Sequence, residues 1–101
     1  MEEKKYVYVV TTGINGVDDR REVGRFELLA DAITFMSHYQ ILLNDEARIE
    51  SQQVHYRNDK EFTQFDVQIE KVSYDEDGYF MDSEIIIYDT TPRFRYGQIV
   101  D

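Results

Sequence analysis

The chain has 101 residues, of which 42% are hydrophobic and 14% aromatic, and its 21 acids against 11 bases give a formal net charge of -10. That length suits one domain, and the apolar content is too high for a disordered acidic tail. Such a charge repels nucleic acid and anionic membranes and attracts basic surfaces.

Residues 6–12, Tyr-Val-Tyr-Val-Val-Thr-Thr, are dense in β-branched and aromatic side chains and predict a strand. Apolar residues on both parities predict a central strand covered on both faces. Residues 13–19 hold two glycines, an asparagine and two aspartates and predict a loop or wide turn. Residues 20–28 predict a second strand marked by Val23 and Phe26 and weakened by Gly24.

Residues 29–43 predict the helix. Leu29, Ala32, Ile33, Met36, Gln40 and Leu43 form one stripe, with Leu28, Phe35, Tyr39 and Leu42 beside it. Asp31 suits the positive N-terminal end, and Asn44-Asp45 is the expected stop. So broad an apolar arc predicts a helix sunk in a groove of the core. The other reading is a helix that also forms a homodimer interface.

Beyond the helix the pattern alternates. Residues 47–56 predict a strand carrying Ile49, Val54 and Tyr56, and Asn58-Asp59 a turn. Residues 62–74 predict a long strand with Phe65, Val67 and Ile69 on one face and Asp66, Gln68 and Glu70 on the other. Asp75-Glu76-Asp77-Gly78 predicts a hairpin turn with Asp77-Gly78 as its central pair. Residues 79–89 return, with Tyr79, Met81, Ile85 and Ile87 on one parity and Asp82, Glu84 and Ile86 on the other. Pro92 ends this strand, and residues 93–100 predict a short last strand with Phe94 and Tyr96 facing together. The expected fold is α+β: an antiparallel sheet of about four to six strands against one helix, in the order β-(β)-α-β-β-β-(β). It forms one domain over residues 1–101, with an acidic hairpin at about 61–91.

The charge is concentrated in that hairpin. From Glu61 to Pro92 there are nine acids and one base, Lys71. Asp66 and Glu70 are expected on one strand's solvated face, with Asp82 and Glu84 on its partner. Same-face residues of a strand repeat every ~6.6–6.8 Å, comparable to the separation of successive phosphates. Carboxylates at that pitch, with Asp75, Glu76 and Asp77 at the tip, could imitate a phosphate backbone and occupy a basic groove. The plainer reading is that they solvate the sheet and discourage edge pairing. Tyr74, Tyr79 and Tyr88 are candidate contact anchors, and Asp89 completes the acidic set.

Other chemistry finds little support. The Asp75–Gly78 run resembles half a calcium loop, but the twelfth position, which needs a bidentate glutamate, is Ile86. His38 and His55 stand without a nucleophile motif, so no catalytic residues, cofactor or metal are expected. The Gly13–Gly16 loop lacks a phosphate-loop pattern. Arg20, Arg21 and Arg25 are interleaved with Asp18, Asp19, Glu22 and Glu27, which predicts surface ion pairs rather than direct nucleic-acid contact, and Arg93 with Arg95 forms a second small basic cluster. No cysteine means no disulfide and no thiolate. No apolar run approaches the ~20 residues of a membrane span, and no signal-peptide pattern opens the chain. A soluble cytoplasmic protein is expected.

In size, missing cysteine and the acids Asp66, Glu70, Asp75, Glu76, Asp77, Asp82, Glu84 and Asp89, the chain resembles the small acidic inhibitors of phages and mobile elements, among them anti-restriction DNA mimics and anti-CRISPR proteins. The resemblance covers about a third of the chain and implies a stoichiometric inhibitor seated in the nucleic-acid site of a host nuclease. The expected function is therefore non-enzymatic binding to a basic, nucleic-acid-binding protein surface. The alternative is a homo-oligomer built on the apolar helix face, with its acids serving solubility.

Overall fold

A computed structural model describes residues 5–14, 20–53 and 63–100. The elements are β1 (Lys5–Ile14), β2 (Arg20–Phe26), α1 (Leu29–Gln53), β3 (Phe65–Tyr74), β4 (Phe80–Thr90), β5 (Phe94–Arg95) and β6 (Gln98–Ile99). The first four strands form one antiparallel sheet in the order β2-β1-β3-β4. β5 and β6 form a separate hairpin that turns through Tyr96 and Gly97, both at positive φ. The fold is the expected α+β arrangement, one helix against an antiparallel sheet, with the extra strands set apart in a second small sheet.

The helix passes its expected stop by ten residues. Asn44 and Asp45 lie on its exposed side, and Asp45 sits 3.8 Å from Arg48 one turn on. The strand expected at 47–56 is a correction: residues 47–53 are helical, and 54–56 lie outside the described residues, as does the Asn58-Asp59 turn. Leu43, Ala47 and Ser51 keep the buried stripe running at i, i+4 spacing, and this outweighs the alternation suggested by Ile49.

Register fixes the two faces of the sheet. Val10 pairs with Ile69 and Thr12 with Val67, so these side chains share the face under the helix. There Val10, Val67 and Ile69 meet Ala32, Met36 and Leu43 in the core. Phe26 and Phe35 extend it over β2, with ring centroids 5.2 Å apart, and Phe35 stacks on Tyr39 at 5.7 Å. Phe35 and Tyr39, members of the broad apolar arc that suggested a homodimer interface, are thus used inside the protomer, and the Tyr39 hydroxyl accepts a hydrogen bond from Arg21 at 3.0 Å. Gly24 pairs with Val10 beneath this aromatic cluster. An added Cβ there would lie 2.8 Å from the Phe26 ring and 3.0 Å from Phe35, so glycine lets the rings close over β2.

Bulges interrupt the ladders between Val10 and Thr11 on the β2 side, and at Ile69/Glu70 and Ser73/Tyr74 on the β4 side. The β4 bulges reverse the expected facing. Ile87 pairs with core-facing Ile69, whereas Ile85 pairs with Glu70 on the open face, so the expected common face of Met81, Ile85 and Ile87 does not form. In the small hairpin Phe94 is buried but Tyr96 is 58% exposed, so those two do not face together either. No helix among the described residues is long and apolar enough to cross a membrane.

Leu43→Ala is expected to cost ~2–5 kcal/mol by leaving a cavity in the core. Gly24→Ala is expected to cost ~1–3 kcal/mol by displacing the rings. Urea unfolding should show both as lower midpoints with an unchanged slope.

Candidate functional site: the acidic arm

Sheet and helix are offset along the molecule. β2 ends at Phe26, opposite Tyr8, and the helix starts at Leu29. Past that level β1 runs back to Lys5, β3 runs on to Tyr74, and β4 begins at Phe80. At the other end the helix reaches the small hairpin, where the Gly97 amide donates to Ser51 Oγ at 2.8 Å. The molecule measures 57 × 23 × 20 Å, with a radius of gyration of 16.4 Å, against ~13 Å for a compact chain of this length. An arm of three strand ends and a turn therefore extends beyond the helix. From Lys71 to the tip it reaches roughly 20 Å at the rise of a strand.

The tip is organised by Asp75. Its Oδ1 accepts hydrogen bonds from the amides of Asp77 and Tyr79, both at 2.9 Å. Gly78 N donates to Asp75 O at 3.1 Å, and Asp75 N donates to Tyr79 O at 2.9 Å. Glu76-Asp77 is the central pair, and Gly78, at φ 86, supplies the left-handed residue of a three-residue hairpin loop. The expected Asp77-Gly78 central pair is thus shifted back by one residue. The shift fits a loop that ends in a left-handed glycine, where the two-residue alternative would need positive φ at Asp77 as well.

The carboxylates do not form one strip. Asp66 is 3% exposed and pairs with Arg20 across β1. Arg20 also donates to Thr11 Oγ1 and to the Thr11 carbonyl, each at 3.2 Å. Asp66 Oδ1 has the guanidinium as its charge partner and accepts no aligned hydrogen bond. The Tyr88 hydroxyl lies 3.4 Å from Oδ2, and desolvation followed by the Asp66 charge raises the pKa of that phenol. Asp66 therefore ties three strands together and is closed to a partner, correcting its reading as a solvated carboxylate. Glu70 accepts a hydrogen bond from Gln68 at 3.1 Å on the open face. Asp82, Glu84 and Asp89 pair with Ser73, Lys71 and Val67 on the opposite, helix-side face. Asp89 accepts from Gln40 of the helix at 2.7 Å.

Several carboxylates of the arm remain free. The carboxylates of Glu76, Asp77 and Glu84 make no hydrogen bond or ion pair among the described residues. Lys71, opposite Glu84, places its Nζ 4.2 Å from the centre of the Tyr6 ring. Tyr6, Lys71, Ser73, Met81, Asp82 and Glu84 line a shallow recess of about 340 Å³. At the tip Tyr79 is 71% exposed, and Phe80, opposite Tyr74 on the open face, is 62% exposed. Tyr74 turns to the open face, where its hydroxyl accepts from Arg25 at 3.3 Å. Arg25 also binds Glu22 at 2.8 Å, and the two bonds, Glu22 first, raise its pKa. Tyr79 is legible in the sequence as a contact candidate, but its exposed neighbours Phe80, Met81 and Ile85 are not, because two bulges in β4 hide the facing of those side chains. A second recess, about 230 Å³ between Arg20, Arg21, Leu43, Glu46 and Phe65, offers two cations already engaged with Asp66 and Tyr39.

The arrangement suits recognition: separated negative charges beside solvent-facing aromatic rings. Among the described residues no three acids or histidines gather to hold a metal ion. No family model, curated protein or solved structure matches the chain.

Asp66→Ala is expected to destabilise by ~3–5 kcal/mol, since it leaves Arg20 partly buried and unpaired. Alanine at Glu76, Asp77 or Glu84 should stay within about 0.5 kcal/mol of the parent. Asp75→Asn, which keeps an acceptor oxygen, should unfold at higher urea than Asp75→Ala, which loses two backbone partners. Equal midpoints for that pair would mean that the tip does not depend on the Asp75 side chain.

Proposed function

We propose that this protein acts by binding, and that its acidic arm occupies a basic surface on a partner protein, of the kind that otherwise holds a nucleic-acid backbone. The observation that carries this reading is the pairing, on an arm beyond the helix, of free carboxylates (Glu76, Asp77 and Glu84) with the exposed rings of Tyr79 and Phe80. Charge steers the encounter, and the rings supply apolar area that can be desolvated on docking. The carboxylate file is shorter than the sequence suggests: Asp82 and Glu84 keep the same-face pitch of a strand, but Asp66 is buried and Glu70 lies on the other face. The tip and the start of β4 form the contact, and the full hairpin length does not.

A second reading rests on the helix. Leu42 is 58% exposed and Ile49 41%. They stand seven residues apart, in line with Phe35, as a self-association seam would require.

The test is capture from the source organism's lysate at low and high salt, followed by competition with duplex DNA. The parent should retain basic nucleic-acid-binding proteins at low salt and release them to salt or DNA. A variant with Glu76, Asp77, Asp82 and Glu84 changed to Lys should keep its circular dichroism and lose more than about a hundredfold in affinity for them. Equal capture by that variant would remove the arm as the site. If the helix is the interface, the parent is a salt-insensitive dimer that Leu42→Glu or Ile49→Glu converts to monomer.

A further inference from the structure

β4 is an outer strand of the sheet, eleven residues long, with β3 on one side. Its first six residues, Phe80 to Ile85, are exposed throughout. The direction of its backbone groups follows from two bonds. The Asp82 carbonyl accepts from Ser73 Oγ of β3 at 3.3 Å, so it points inward, and the next amide, Ser83 N–H, points outward. That amide donates to Asp82 Oδ1 at 2.8 Å, as Thr90 N–H does to Asp89 Oδ1 at 2.8 Å. Two amides along β4 are thus held by the carboxylate of the preceding residue. By strand periodicity the Ile85 amide also faces outward, beside side chains that are 56% exposed at Ile85 and 52% at Tyr88.

We infer that the outer edge of β4 is a strand-addition site for an extended, basic segment of a partner protein. The inference rests on the acidic-arm reading and gives that reading a binding mode. An arriving strand takes the outward carbonyls and amides. It displaces the Asp82 carboxylate from the Ser83 amide, and that carboxylate turns to a lysine or arginine of the arriving segment. Glu84, which has no intramolecular partner among the described residues, takes another. Charge selects this occupant over a second copy of the chain. β4 carries Asp82, Glu84 and Asp89 and no base. A two-fold antiparallel pairing of β4 with itself about Ile85 and Ile86 would set Asp82 opposite Asp89, and like charges directly opposite destabilise a sheet. The carboxylate-held amides and the bulge at Ile86 keep the free edge from aggregating until a basic segment arrives.

The experiment uses the full chain and two synthetic peptides of alternating lysine and valine. One has an ordinary backbone, and the other is N-methylated at alternate residues, with the same charge and side chains but without those donors. At low salt the ordinary peptide should bind and raise hydrogen-exchange protection at Ser83 and Ile85. The N-methylated one should bind about tenfold or more weakly, from the loss of two or more backbone bonds. Equal binding of both peptides overturns strand addition while leaving a purely electrostatic arm in place. Binding of neither also overturns it, and the lysate capture with the charge-reversed arm then decides the acidic-arm reading separately. A protein that is dimeric without peptide, with the Ile85 amide already protected, overturns it in favour of a second copy.

Discussion

The offset between one helix and the sheet it covers determines the rest of the molecule. The helix spans roughly 37 Å at its rise per residue, about the length of the long strands, yet the two overlap over only part of their run. Where they overlap, Val10, Val67 and Ile69 lose their water to Ala32, Met36 and Leu43. Where the helix outruns the sheet, β5 and β6 meet its end through Ser51 and Gly97. Where the sheet outruns the helix the arm extends alone among the described residues, and there rings such as Tyr79 and Phe80 face solvent.

A chain of formal charge -10 must also keep its acids apart as it folds. Several acids are given structural tasks: Asp66 holds Arg20 across β1, Asp75 closes the tip, and Asp89 anchors the helix through Gln40. Among the described residues the carboxylates of Glu76, Asp77 and Glu84 on the arm have no such task, and neither do those of Glu27, Asp31 and Glu46 off it. This division explains why total charge alone does not show which carboxylates are left exposed. The acid most deeply involved in the fold, Asp66, belongs to the same run that gives the hairpin its acidic character.

The class of fold was legible because its signals are local. A dense run of Val, Tyr and Thr marked β1, an i, i+4 stripe marked the helix, and a glycine after three acids marked the tip. The helix end was not legible, because Asn44 and Asp45 read as a stop only until the buried stripe through Ala47 and Ser51 is known to have a partner. The facing of β4 was hidden by its bulges, which shift Ile85 away from Ile87 without any proline or glycine to announce them. The burial of Asp66 depends on Arg20, 46 positions away in the chain, and on the antiparallel order that brings β2 and β3 to either side of β1. The acidic hairpin could thus be found from composition, but the residues within it that remain available for binding could not.

Hydrogen exchange on the free protein tests the offset most directly. Protection along β3 is expected to divide near Lys71: amides from Val67 to Ile69 exchange only through global unfolding, while those from Val72 to Tyr74 and the first residues of β4 exchange through local opening of the arm. Uniform protection from Val67 to Tyr74 would contradict it, because the arm would then be covered and unavailable to a partner.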